Sequence, residues 1–251
     1  MSDSKPFVVV AAGFGNYTRE YPAYVKKFGR ENVVWTSNAR RYTVEDHLEE
    51  LESKIPKDKP YILVGHSLGG SIIIELMSRK PLTNCQGVSL NGASRMVLSH
   101  WFLNFLFYLP VPIIYSFFAL MVVLFPLNFV LTRFNLHKAK QASFEGITRL
   151  LENGAREIKK EYNYCLRKIG REVTSIHKDN LTIPTLFIHL EKEMMVDEED
   201  LKYTKTLYKN KRVKIIKSDT MHLTHDFDYV VADLIGEDLD FFGYEKISTA
   251  G

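Results

Sequence analysis

Residues 61–70 read YILVGHSLGG, and an apolar run of helical length, residues 71–77, follows them. The first four residues predict a short buried strand, which leads directly into a serine with a glycine two residues away on each side. Strand, glycine-flanked serine and helix together indicate a nucleophile elbow, a sharp turn that exposes a serine hydroxyl. The turn leaves no room for side chains at Gly65 and Gly69. We therefore predict that Ser67 is a nucleophile.

The GHSLGG stretch resembles the elbow of the α/β-hydrolase superfamily, in its lipase and esterase branch. The resemblance covers residues 6–95 and 180–242 and implies a serine nucleophile, an acid and a histidine, in that chain order. The alternative is an ordinary glycine-rich turn between strand and helix, such as a phosphate cradle. The sequence contains neither G-x-x-x-x-G-K-[ST] nor G-x-G-x-x-G, which weakens that alternative.

Apolar runs that alternate with helical segments predict an α/β protein with a mostly parallel sheet of about six strands flanked by helices. The predicted strands are residues 7–12, 33–36, 61–64, 87–91, 183–189 and 213–217. Only two of them precede the elbow strand, so we expect a trimmed α/β-hydrolase fold without an antiparallel edge. We assign residues 1–95 and 180–251 to the core and residues 96–179 to an inserted helical cap.

A turn of sequence Gly-Phe-Gly-Asn, residues 13–16, follows the first strand. The resemblance implies that this turn and the residue after the nucleophile supply two backbone amides, an oxyanion hole for the transition state. Matched by position, these amides belong to Phe14 and Leu68. The family often has His-Gly at the start of this turn, whereas this chain has Ala12-Gly13.

The acid and the base are expected after the last two strands. The family pattern after the fifth strand is H-G-x-x-D-x-x-V, and here Glu193 stands at the aspartate position while Leu190 replaces the glycine. A glutamate can hold the histidine tautomer and stabilise the imidazolium as an aspartate does. Asp197, four residues on, is the alternative acid. His222 lies between the last strand and the final helix, where the family has its base.

The first part of the cap, residues 101–131, contains no charged residue. This length suffices for a membrane span, but three prolines divide it into pieces too short to cross about 30 Å as straight helices. A single crossing would also separate Ser67 from every candidate acid and base. We favour a hydrophobic cap whose helices lie over the pocket and dip into a membrane or lipid surface. A cap buried entirely on the domain is the alternative.

The second part of the cap is basic. Residues 137–178 contain ten Lys or Arg and five Glu, with apolar residues at helical spacing. A basic face beside an apolar one suits an anionic lipid surface, and an ordinary solvated helix face is the alternative.

The composition excludes several classes of function. A net charge of +3 is too small to indicate nucleic-acid binding. The two cysteines, Cys85 and Cys165, lack C-x-x-C spacing, which argues against a disulfide scaffold or a zinc site. We expect no metal and no organic cofactor. Residues 1–6 have no signal-peptide character, so we expect a cytoplasmic location, either free or peripheral on a membrane or lipid droplet.

These patterns predict a serine esterase that acts through an acyl-enzyme intermediate. The apolar cap favours lipophilic acyl esters, such as monoacylglycerols, over small polar esters. Two alternatives remain open. In the first alternative, the cap excludes water, so that an alcohol takes the acyl group and the protein is an acyltransferase. In the second alternative, the protein is non-catalytic and binds a membrane or a partner through its apolar cap.

Overall fold

The computed structural model describes residues 5–16, 20–97, 101–131, 151–152, 154–191, 196–217 and 227–244. Six strands form one sheet in the order β2-β1-β3-β4-β5-β6, and every neighbouring pair is parallel. The strands are β1 (Phe7–Ala11), β2 (Val33–Trp35), β3 (Tyr61–His66), β4 (Cys85–Asn91), β5 (Thr185–Leu190) and β6 (Lys211–Ile216).

Helices cover both faces of this sheet. Helices α2 and α3 pack on one face, together with the helices inserted after β4, and helices α1 and α9 pack on the other. The core helices are α1 (Pro22–Phe28), α2 (Val44–Lys54), α3 (Leu68–Arg79), α8 (Glu198–Thr206) and α9 (Asp228–Glu237), with short 3₁₀ turns at Arg30–Asn32, Lys178–Asn180 and Leu239–Phe242. Because both faces are covered, strands β1 and β3 are almost entirely apolar rather than alternating.

The segment between β4 and β5 is helical where it is described. It contains α4 (Trp101–Tyr108), α5 (Val111–Val123), α6 (Phe125–Leu131), α7 (Ala155–Glu161) and a π-helix, Tyr162–Leu166. All of these helices fall within residues 96–179. Apolar side chains on their inner side, among them Phe107, Ile114 and Ile158, join the core cluster that contains α3. Among the described residues, no helix is long and apolar enough to cross a membrane.

The sequence-based assignment of the strands is confirmed, with each strand end within two residues of its predicted position. The absence of an antiparallel edge is also confirmed for the described strands. Helix α3 is longer than the predicted residues 71–77, because the chain enters helical geometry immediately after Ser67. Cys165 is fully buried in the core.

Helix α2 begins with a capping box. The Thr43 side chain accepts a hydrogen bond from the backbone amide of Asp46 at 3.1 Å. In return, the Asp46 carboxylate accepts a hydrogen bond from the backbone amide of Thr43 at 2.9 Å. These two bonds satisfy amides that lack partners within the helix.

Changing Thr43 to Ala removes one half of this box, so we expect a loss of about 1 kcal/mol in the free energy of unfolding. Urea denaturation measures the loss. Thr83→Ala, at an exposed turn, is the control and is expected to stay within about 0.5 kcal/mol of the wild type. Equal effects of the two substitutions would contradict the capping role.

Candidate active site

Ser67 occupies a strained turn between β3 and α3. Its backbone angles are φ 49° and ψ −117°, a conformation that residues other than glycine rarely adopt. The turn is held by three backbone hydrogen bonds: the Ser67 amide donates to Asn91 at 2.9 Å, and the Ser67 carbonyl accepts from Gly70 at 2.9 Å and from Ser71 at 3.2 Å. The strand, the sharp turn and the helix are thus all present where the sequence predicted them.

The two elbow glycines are required by packing. A Cβ atom on Gly65 would lie 2.6 Å from the backbone nitrogen of Gly70, and one on Gly69 would overlap the backbone of Ala11. Neither neighbour is a side chain that can move away. The close approach of α3 to β3 therefore depends on Gly65, and its close approach to the end of β1 depends on Gly69.

The turn after β1 lies beside Ser67. A Cβ atom on Gly13 would be 3.6 Å from the Cβ of Ser67, so the backbone of this turn reaches the serine. Leu68 is the first residue of α3, and its amide has no acceptor within the helix. Within the described residues, the structure gives neither the Phe14 amide nor the Leu68 amide a hydrogen bond. Both amides are thus available as donors.

Two buried residues beside this turn have no counterpart among the sequence-predicted site residues. Asn38 and Glu161 are 1% and 0% exposed and hydrogen-bond the turn of residues 13–16. Asn38 lies in the loop after β2, where the sequence offers no pattern. Glu161 was detectable in principle, because it is an acidic residue between Ile158 and Tyr162 on a predicted apolar helix face.

The cap also packs on the turn through aromatic rings. The Phe14 ring lies edge-on to Phe107 of α4 and to Tyr162 of the π-helix, with centroid distances of 6.4 Å and 6.2 Å. The turn of residues 13–16 therefore contacts both the core and the cap.

Three buried histidines lie near the sheet, and the Nε2 of one of them, His47 of α2, is 3.5 Å from the Glu161 carboxylate. His66, next to Ser67, points to the opposite sheet face, where its Nε2 lies 2.7 Å from the Tyr24 hydroxyl and it stacks on Tyr21. Burial lowers the pKa of His47 to about 4 and that of His189 to about 3, so both are neutral at pH 7.

The predicted base His222 and the predicted acid Glu193 lie outside the described residues. Strand β5, which precedes Glu193, ends at Leu190, and strand β6, which precedes His222, ends at Ile216. These ends lie at the same edge of the parallel sheet as Ser67. Asp197 is described: it is exposed, and its side chain caps α8 by accepting the amide of Asp200 at 2.9 Å.

No model of a known protein family matches the chain, and no curated protein matches it in sequence. Similar solved structures do exist. MGS-M2, an α/β-hydrolase enzyme from a Medee basin deep-sea metagenome library, aligns with a TM-score of 0.62 at 18% identity over 100% of this chain and 94% of its own. The hydrolase olei00960 from Oleispira antarctica aligns with a TM-score of 0.64 at 13% identity over 96% and 92%. An esterase from Exiguobacterium antarcticum gives 0.62 at 13% identity over 96% and 93%. The chain therefore has the α/β-hydrolase fold.

The elbow packing makes a steric prediction. Gly69→Ala forces a methyl group against the Ala11 backbone, and we expect a loss of about 1–3 kcal/mol in the free energy of unfolding. The matched control is Gly236→Ala in helix α9, where the new methyl group meets only the flexible end of Lys27. Urea denaturation of both variants checks the difference, and equal stability of the two would contradict the close approach.

Proposed function

We propose that this protein is a serine hydrolase that cleaves lipophilic carboxylic esters. The observation that carries the proposal is the position of Ser67, strained and half-buried at a strand–helix turn, beside two amides without acceptors among the described residues. Strain of about 1–3 kcal/mol at a single residue persists only where the surrounding structure enforces it, and such residues cluster at active sites.

The proposed reaction follows from the roles of five groups. His222 takes the proton of the Ser67 hydroxyl as its oxygen attacks the ester carbonyl carbon. The amides of Phe14 and Leu68 hold the negative oxygen, each worth about 10²- to 10³-fold in rate. His222 then protonates the leaving alcohol, and a water deprotonated by His222 releases the acid from the serine. Glu193 orients His222 throughout.

Glu193 is preferred over Asp197 as the acid for two reasons. The Asp197 side chain is exposed, and one of its carboxylate oxygens already accepts a hydrogen bond from the Asp200 amide at the start of α8, which gives it a structural role there. Glu193 follows the end of β5 by only three residues and matches the position of the acid in the family pattern.

The cap favours a lipophilic substrate and a lipid surface. Helices α4–α6 expose a group of large apolar side chains, each between 47% and 77% exposed: Phe105, Tyr108, Ile113, Leu120, Val123, Leu127 and Val130. Exposed apolar side chains grouped on an uncharged segment are typical of a surface that meets lipid or another protein. The surplus of Lys and Arg in residues 137–178 makes an anionic lipid surface the preferred partner.

An esterase with this fold supports an ester substrate rather than another acyl compound. Monoacylglycerols are the substrates we favour, since they combine a long acyl chain with a polar alcohol that leaves into water. Transfer of the acyl group to an alcohol uses the same residues, and product analysis with added alcohol separates it from hydrolysis.

The first test is labelling by a fluorophosphonate probe. We expect the wild type to react, and Ser67→Ala and His222→Ala to lose at least about 10³-fold in labelling rate, because each removes a member of the triad. Ser78→Ala on the same helix and His177→Ala on a surface turn are the matched controls and should label normally.

Comparison of Glu193→Ala with Asp197→Ala assigns the acid. A loss in the first variant alone supports Glu193, and a loss in the second alone would transfer the role to Asp197. If the wild type takes no probe even in detergent, the proposed hydrolase is wrong, and the non-catalytic alternative replaces it.

Lipid binding is tested by sedimentation with vesicles of zwitterionic and anionic phospholipid. Leu120→Ser together with Val123→Ser is expected to weaken binding at least about tenfold, since each side chain loses apolar contact worth 1 kcal/mol or more. The control changes Tyr229 and Val230, exposed on α9, to Ser and should leave binding unchanged. Equal binding by both variants would contradict the proposal that the cap is the lipid-binding surface.

A further inference from the structure

Glu161 is a fully buried carboxylate at the end of cap helix α7. One of its oxygens accepts the amide of Gly15 at 3.2 Å, and the other accepts the side-chain amide of Asn38 at 2.8 Å. Burying a charge is costly unless hydrogen bonds compensate it, and these bonds connect the cap to the turn beside Ser67.

Asn38 transmits this contact to the Phe14 amide. Its side-chain nitrogen also donates to the Gly13 carbonyl at 2.9 Å, which in addition accepts the amide of Asn16 at 3.3 Å. The Gly13 carbonyl and the Phe14 N–H belong to the same planar peptide unit and point in opposite directions. Holding the carbonyl on Asn38 therefore fixes the direction in which the Phe14 N–H points.

The backbone on either side of this peptide is held as well. The Ala12 amide donates to the Thr36 side chain at 2.9 Å, and the Asn38 amide donates to the Asn16 carbonyl at 3.3 Å. These partners belong to the core, and Glu161 contributes a hydrogen bond from the cap to the same turn.

A π-helix begins directly after Glu161, at Tyr162. Such wide turns are uncommon and often occur at functional sites, because they change the direction of one side chain relative to the rest of its helix. Here the change of helix type coincides with the two consecutive residues that contact the turn, Glu161 through hydrogen bonds and Tyr162 through the Phe14 ring.

We propose that Glu161 is a positioning residue: from the cap, it holds the turn of residues 13–16 in the geometry that aims the Phe14 amide at the reacting oxygen. The oxyanion hole is then complete only while the cap is packed on the core, so cap displacement and loss of activity are linked. This inference rests on the proposed hydrolase function and adds a role for the cap within it.

The test substitutes Glu161 by Gln. The new amide nitrogen places a donor against either Gly15 or Asn38, so one of the two bonds is lost and the turn shifts. Since displacements near 1 Å cost about 100-fold, we expect kcat to fall about 10- to 100-fold, with KM within about twofold of the wild type. Asn38→Ala should have a similar effect, and the double variant should lose little more than either single one, because both act through the same peptide.

Glu75→Gln is the matched control. Glu75 is a buried carboxylate that also accepts a backbone amide from the segment between β4 and β5, that of Gly170 at 3.1 Å, but it lies on α3 away from the turn. We expect a comparable fall in melting temperature for both variants and a fall in kcat only for Glu161→Gln. Unchanged kcat in Glu161→Gln with an active wild type would overturn the positioning role.

Hydrogen exchange separates this inference from the proposed function. Peptides that contain residues 12–16 should exchange faster in Glu161→Gln than in the wild type or in Glu75→Gln, whether or not an ester is turned over. Unchanged exchange would refute the inference. If the wild type neither labels nor hydrolyses but exchange rises, the hydrolase proposal fails, and the contact between cap and turn stands.

Discussion

The close approach of helix α3 to the end of strand β1 is the contact on which the site depends. It is possible only because Gly69 has no side chain to meet the Ala11 backbone. This approach forces Ser67 into its strained conformation and puts the Leu68 amide at the start of a helix, without an acceptor in the helix. It also places the turn at Gly13 beside the serine. One steric constraint thus assembles a candidate nucleophile and a candidate oxyanion hole.

The turn beside the serine is shared between core and cap. On the core side its backbone is tied to the loop after β2, and on the cap side Glu161 and the rings of Phe107 and Tyr162 contact it. A polar and an apolar contact from the same insertion converge on two consecutive residues, Phe14 and Gly15. Displacement of this insertion would break both contacts, which is the physical basis of the proposed link between the insertion and catalysis.

The cap exposes apolar side chains on its outer side and makes a buried polar contact with the core through Glu161. The sequence predicted the apolar surface but not the polar contact. The uncharged run 101–131 predicted an apolar insertion, and its helices do expose large apolar side chains such as Val123, 73% exposed. Its prolines predicted short helices, and the break at Leu124, between α5 and α6 and two residues before Pro126, agrees. The place of Glu161 on an apolar helix face was visible in the sequence, but its partners Gly15 and Asn38 were not, because they lie in distant segments.

The sequence by itself determined the sheet and the sharp turn with Ser67 at its centre, because apolar runs and glycine spacing are local consequences of burial and sterics. It also predicted a turn after the first strand, and the family resemblance pointed to the Phe14 amide within it. Only the tertiary structure decided that Asn38 and Glu161 hold that turn. They come from segments 123 residues apart, and hydrogen bonds between distant segments leave no periodic trace in a sequence. The strained backbone of Ser67 is likewise a property of packing, enforced by neighbours that meet only when the chain folds.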